Sequence, residues 1–311
     1  MNQKLTIPDT DLVVYPLCLG GNVFGWSADQ DESFAVLDAF AEAGGNFIDT
    51  ADVYSEWKPG NAGGESETII GNWMKSRGNR SEMIIATKVA KYSKRPGLDP
   101  GNISAALDDS LSRLQTDYVD LYYSHEDDPK VAMADVLLRF TEFISIGKIR
   151  YIGASQHTAG RLAEALDLSK KNGYASYVAL QDQYNLVERN PFESEQEAVV
   201  REHAISAIPF FGLAKGFLSG KYRPGVNVDS VRADGVVSYQ NEKGWAIIQV
   251  LDQLSKKYSA PISAISLAWL RSNPAVSTPI ASARTVEQLR EIMQIVELED
   301  GDIDLLDRVS S

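Results

Sequence analysis

Eight short runs of apolar and β-branched residues recur along this chain: Leu17 to Gly20, Phe47 to Thr50, Met83 to Lys88, Tyr118 to His125, Ile149 to Ser155, Tyr177 to Tyr184, Ala204 to Phe211 and Val276 to Ser282. Most are apolar until they end, the pattern of strands covered on both faces. Longer segments with helical spacing alternate with them from Phe47 onward. Ser33 to Ala43 puts Phe34, Leu37 and Ala41 on one face, and Ile103 to Leu114 does the same with Ile103, Ala106, Leu107, Leu111 and Leu114. Gly44-Gly45 and Gly173 supply stop signals. Alternation of this kind predicts an α/β protein with a parallel sheet, and eight strand-helix units predict a (β/α)8 TIM barrel.

Three segments depart from the alternation. Leu5 to Val14, with Pro8-Asp9-Thr10-Asp11 at its centre, predicts a small N-terminal β-hairpin capping the barrel floor. Gly212 to Gly244 is a long connection of the kind that serves as a lid or binding loop, and Trp245 to Ser272 holds two helical patterns before the last strand. The whole length, 1–311, fits one barrel domain, without a linker, low-complexity tract or further repeat.

Composition narrows the function classes. A chain 44% apolar and 23% charged can bury a large core in water. Its net charge of −13 repels polyphosphates and anionic lipid surfaces, which argues against nucleic-acid or membrane partners and leaves a small molecule as the expected ligand. Cys18 is the one cysteine and sits between Leu17 and Leu19, so it reads as a buried apolar residue on a strand. Met1 to Pro8 has no signal-peptide core and no segment is long enough to span a membrane, so the expected location is cytoplasmic. The three histidines lack ligand-like spacing, and no metal site is expected.

In a barrel the reacting groups stand at the C-terminal ends of the strands. Phe47-Ile48-Asp49 delivers a carboxylate, and Tyr54 follows on the next loop; Lys88 ends the third run and His125 the fourth. A phenol, with a reference pKa of about 10, donates a proton to a developing alkoxide only with help near neutral pH. An ammonium beside it favours the phenolate, and a carboxylate keeps that ammonium charged and oriented. Asp49, Lys88 and Tyr54 fit those roles, while His125 is placed to hydrogen-bond a substrate carbonyl. Strand-end Asp-Lys pairs can also be purely structural, so the argument rests on the set.

These residues resemble the aldo-keto reductase family, over essentially the whole chain from Leu17-Cys18-Leu19-Gly20-Gly21 to Ala283-Arg284-Thr285-Val286-Glu287-Gln288-Leu289. The resemblance implies that Asp49, Tyr54, Lys88 and His125 form the catalytic tetrad and that the cofactor is NADP(H). It implies that Ser155, Gln156 and Gln181 hold the nicotinamide carboxamide, with Gln156 replacing the family's usual Asn, and that Phe210 stacks on the ring. Leu213, Lys215 and Lys221 match the loop over the pyrophosphate; Gly21 and Ser282 complete the cofactor wall. Arg284 matches the position facing the adenosine phosphate, and Gln288 and Glu291 face the adenine. Ile292 stands where many relatives carry Asn.

Phe24, Trp26, Trp57 and Tyr92, on loops near the mouth, are the candidate substrate-pocket residues. The chain ends soon after the helical Ile303 to Val309 pattern, which suggests an open, permissive pocket for small aldehydes, ketones or sugars. The expected activity is NADP(H)-dependent carbonyl reduction with Tyr54 as general acid. Two alternatives share the same residues: a cofactor-binding regulatory subunit resembling the potassium-channel β subunits, and a dehydrogenase working in the oxidative direction. Substrate identity, stereochemistry and oligomeric state are not encoded in any motif.

Overall fold

The computed structural model describes residues 4–231 and 233–311; Met1 to Gln3 of the N-terminal stretch and Arg232 of the long connection lie outside the described residues. The chain opens with the expected hairpin, β1 (Leu5–Thr6) antiparallel to β2 (Val13–Val14). An eight-stranded parallel sheet follows: β3 (Cys18–Gly20), β4 (Phe47–Asp49), β5 (Ile84–Val89), β6 (Val119–Ser124), β7 (Ile149–Ser155), β8 (Tyr177–Gln181), β9 (Ser206–Ala207) and β10 (Ile280–Ala281). They pair in chain order from β3 to β9, and β10 returns beside β3. The remaining gap is bridged by backbone hydrogen bonds: Ala207 N–H donates to Ala275 O at 2.8 Å, Ser277 N–H to Ala207 O at 3.1 Å and Ile280 N–H to Pro209 O at 2.8 Å. The sheet therefore curls into the (β/α)8 architecture.

Each of the eight runs contains a strand, with the last ladders shorter than expected. Within Ala204 to Phe211 only Ser206–Ala207 forms a ladder, because Pro209 has no N–H to give, and pairing resumes in one bridge between Phe210 and Gln183. Pro279 similarly divides Val276 to Ser282, leaving Ile280–Ala281 as strand and Val276 in a bridge to Ala207.

Ten α-helices surround the sheet among the described residues: α1 (Gln30–Glu42), α2 (Glu65–Arg77), α3 (Pro100–Leu114), α4 (Met133–Ser145), α5 (Ala159–Asn172), α6 (Glu197–Glu202), α7 (Glu242–Tyr258), α8 (Ile262–Ser272), α9 (Val286–Ile292) and α10 (Asp300–Ser310). Their ends follow local chemistry. Asp29 and Glu32 form a reciprocal capping box on α1, Asp99 caps α3 ahead of Pro100, and Gly173 closes α5 in the left-handed region at φ 68°. The 212–244 connection carries 3₁₀ turns at Ala214–Ser219 and Asp234–Tyr239. Among the described residues no helix is long and apolar enough to cross a membrane.

Strand alternation divides the core in two. Leu19, Ile48, Ile85 and Tyr122 join the large outer core beneath the helices. Cys18, Phe47, Ile84, Ala86, Leu121 and Tyr123 form the smaller core inside the barrel, and Ile7, Leu12 and Val14 of the hairpin region join it. Cys18 is fully buried there, and burial pushes its thiol pKa up, so it remains an uncharged packing group. The inner core has no spare room at Gly153, where an added Cβ would lie 2.3 Å from Cε1 of the Tyr123 ring.

Candidate active site

The rows that fill the barrel change chemistry toward the C-terminal ends. Along β4 the row runs from Phe47 to Asp49, and along β5 from Ile84 through Ala86 to Lys88. On β6 it runs from Leu121 through Tyr123 to His125, which follows the strand's last residue. Gly20, Ser155, Gln181 and Ser282 occupy the corresponding level on other strands or just past them. Tyr54 reaches this layer from the loop after β4.

Asp49, Lys88 and Tyr54 are joined directly. Lys88 Nζ donates to Asp49 Oδ2 at 2.6 Å, to Thr50 O at 2.7 Å and to Tyr54 Oη at 2.9 Å; Tyr54 Oη lies 3.1 Å from Asp49 Oδ2, to which it donates. Gln181 Nε2 donates to the other carboxylate oxygen at 2.9 Å. Burial lowers the Lys88 ammonium from its ordinary pKa, and the field of Asp49 opposes that shift. His125 packs edge-on against Tyr54, with ring centroids 6.0 Å apart. Burial first, and then the Lys88 and Lys91 ammonium groups, hold the His125 imidazole well below its usual pKa, so it is neutral near pH 7. A neutral ring with one N–H can donate a hydrogen bond without adding charge.

These groups open onto a cavity of about 470 Å³, lined by Asp49, Tyr54, Trp57, His125, Ser155, Gln156, Gln181, Phe210, Leu213, Lys215 and Ser282, among others. A second cavity, about 390 Å³, shares Leu213, Lys215, Gly216 and Ser282 with it and continues past Lys221, Arg284, Gln288 and Glu291. Together they make an elongated cleft with cations toward its outer end. Three observations fit a nicotinamide dinucleotide lying along it. Among the described residues, Ser155 Oγ is buried on the cavity wall with no hydrogen-bond partner, Phe210 presents an aromatic ring, and the Arg284 guanidinium pairs with no carboxylate. Gln156, held at φ 52°, lines the first cavity and donates from Nε2 to His125 O at 3.2 Å.

Not every sequence candidate reaches a cavity wall. Gly21 is buried, and its N–H donates to Asp49 O at 2.7 Å; its neighbours Gly20 and Asn22 line the cavity instead. Phe24 is fully buried in the outer core. Tyr92 lays its ring against Gly63, where an added Cβ would meet it at 2.8 Å. Trp26 supports Trp57 edge-on, with centroids 5.6 Å apart, and Trp57 alone of these four candidates lines the cavity.

Other lining residues carry no sequence signal. Asn22 accepts from Ser282 Oγ at 2.6 Å, and Lys91 and Val53 come from loops whose periodicity says nothing about direction. A buried group outside the cavity lining was equally invisible. Glu67 is fully buried, pairs with Arg113 Nε at 2.6 Å and accepts from Thr87 Oγ1. Asp52, on the Tyr54 loop, has a buried oxygen without a partner among the described residues, and burial together with the charge of Glu67 raises its pKa to about 8.

Comparison with known proteins gives a consistent family. The sequence model described as the aldo/keto reductase family matches residues 16–311. Protein tas of Escherichia coli is 31% identical over 96% of this chain and 94% of its own length. An aryl-alcohol dehydrogenase of Pestalotiopsis microspora is 29% identical over 96% of this chain and 78% of that protein. A Schizosaccharomyces pombe protein provisionally named a voltage-gated potassium channel subunit β is 33% identical over 89% of this chain and 84% of its own. Matched from the first barrel strand to the last helix, with the inner rows ending in Asp49, Lys88 and Gln181 at one mouth, this chain belongs to the aldo/keto reductase family of oxidoreductases, whose members generally use nicotinamide cofactors.

Proposed function

We propose that this protein is an NADP(H)-dependent oxidoreductase that reduces aldehydes or ketones to alcohols, with Tyr54 as the general acid. The observation that carries the reading is the hydrogen-bonded set of Asp49, Lys88 and Tyr54 facing the first cavity beside a neutral His125. When bound, the nicotinamide supplies a hydride to the carbonyl carbon. The protein's own part is to place the oxygen and move a proton. His125 donates its N–H to the carbonyl oxygen and fixes its angle. Tyr54 Oη delivers its proton to that oxygen as negative charge develops there. Lys88 Nζ already donates to Tyr54 Oη, so the phenolate left behind meets a hydrogen-bonded ammonium, and Asp49 anchors that ammonium.

Ser155, Gln156 and Gln181 would hold the carboxamide and Phe210 the ring face, with Gly20, Leu213 and Ser282 shaping the wall. Lys215 and Lys221 would face the pyrophosphate and Arg284 an adenosine phosphate, which favours NADP(H) over NAD(H) through paired, charge-assisted hydrogen bonds. Gln288 and Glu291 lie at the adenine end.

The likeness to a provisionally named channel subunit keeps a regulatory, cofactor-binding role as the second reading. Turnover separates the two. Purified protein should consume NADPH with a panel of small aldehydes, and Tyr54→Phe should lower kcat by about 10² to 10⁴. Tight NADPH binding with no turnover on any aldehyde would replace the enzyme reading by the regulatory one.

A further inference from the structure

The charge around the first cavity is unevenly placed. Asp49 and Lys88 compensate each other at 2.6 Å, and the remaining lysines and carboxylates of the lining reduce to two cations, Lys91 and Lys215, in a chain of net charge −13. Lys215 also lines the second cavity, on the side given to the cofactor; Lys91 lines the first cavity only. A cation that the cofactor does not use is available to the substrate.

The backbone turns Lys91 to this place at some cost. Where β5 ends, His125 N–H donates to Val89 O at 2.8 Å and Gly97 N–H donates to Ala90 O at 2.8 Å. Between these anchors Ala90 is held at φ 124°, a region that L side chains rarely adopt. The result is that Lys91 lines the cavity while Tyr92 turns back onto Gly63. The existing partner of Lys91 is a loose one, Glu126 Oε2 at 3.5 Å, with the glutamate side chain 46% exposed. Such a pair contributes little and exchanges readily for a better-placed anion. Above the same cavity Trp57 is 47% exposed, edge-on to both Trp26 and Tyr54. A large aromatic face left open at a cavity mouth is matched by a flat, apolar ligand.

We propose that the site takes aromatic aldehydes or ketones that carry a carboxylate, with the ring against Trp57, the carbonyl at Tyr54 and His125, and the carboxylate paired with Lys91. This rests on the carbonyl-reducing reading of the cavity. Lys91 is then a specificity residue, acting on substrate affinity, not on proton transfer.

The test compares 3- and 4-formylbenzoate with their methyl esters, which keep the ring and the aldehyde and remove the charge. In NADPH-dependent turnover at least one acid should exceed its ester roughly tenfold in kcat/KM, mainly through KM, as expected for a charge-assisted contact. Lys91→Met should bring the acid-to-ester ratio close to one, and Lys91→Arg should retain the preference. Equal use of acid and ester by the natural protein, or a preference that survives Lys91→Met, overturns the proposal and leaves carbonyl reduction standing. Affinity of the NADP⁺-saturated protein for the same compounds, read from tryptophan fluorescence, provides the independent readout. If no aldehyde turns over, the reductase reading fails; acid binding that is no tighter than ester binding then overturns the role of Lys91 as well.

Discussion

The floor and the mouth of the barrel are made by the same strands, on the same alternation, and carry opposite chemistry. At the floor Ile7, Leu12 and Val14 from the hairpin region meet Cys18, Phe47 and Ile84 in an apolar plug. Two to four residues further along the inward rows stand Asp49, Lys88, Ser155 and Gln181, all at most 2% exposed. Burying such groups carries a large desolvation penalty, which only mutual pairing offsets. The mouth therefore holds its buried charges, Asp49 and Lys88, in one hydrogen-bonded set, and its loops include left-handed non-glycine residues at Ser55, Ala90, Gln156, Phe211 and Lys215. The floor gives the rigidity that the mouth spends on placing functional groups.

The sharpest way to break this contrast is Lys88→Met, which makes the mouth as apolar as the floor on one strand. Asp49 then keeps only its neutral donors, Tyr54 and Gln181. Removing one partner of a buried pair costs about 3 to 5 kcal/mol, read as a lower denaturant midpoint at constant slope. An unchanged midpoint would show that the two neutral donors suffice and that the pair is not what holds the mouth together.

A smaller effect is expected between the two ends. Gly153→Ala adds a methyl group 2.3 Å from the Tyr123 ring, inside a core walled by eight strands. Overpacking of this kind costs about 1 to 3 kcal/mol, measurable by the same unfolding curves. A neutral result would mean that the layer beneath the mouth yields, and that the rigidity resides at the hairpin-plugged floor.

A different readout, a change of slope with pH, probes a group just outside the mouth. Folded Asp52 keeps its proton up to about pH 8, whereas the unfolded chain releases it near the ordinary carboxyl value of 3.8. Between those values the folded state binds a proton that the unfolded state has lost, so this residue lowers stability as pH rises through the window and no further above it. Asp52→Asn should flatten that part of the stability profile. Parallel profiles for the two proteins, compared by urea unfolding at several pH values, would show that Asp52 is already ionised beside Glu67.

Much of this was legible in the chain. Eight apolar runs separated by helical periodicity forecast eight parallel strands, and the Pro8-Asp9-Thr10-Asp11 turn forecast the hairpin, because burial and turn chemistry act on neighbouring residues. Asp49, Lys88 and His125 could be grouped because strand ends in a parallel barrel point to one mouth. Pro209 and Pro279, also plain in the sequence, account for the short final strands.

Side-chain direction beyond a strand end was not legible. Phe24, Trp26, Trp57 and Tyr92 look alike in sequence, yet one lines the cavity, one supports it and two pack elsewhere. Lys91 resembled any surface lysine until Ala90, at φ 124°, turned it inward, and Asp52 resembled any loop carboxylate until its burial near Glu67 raised its pKa. Periodicity sets direction only where backbone geometry repeats. In loops, direction and charge state follow from contacts between residues far apart in the chain, so the strands and their polar ends came from local pattern, whereas which loop side chains line the pocket came from packing.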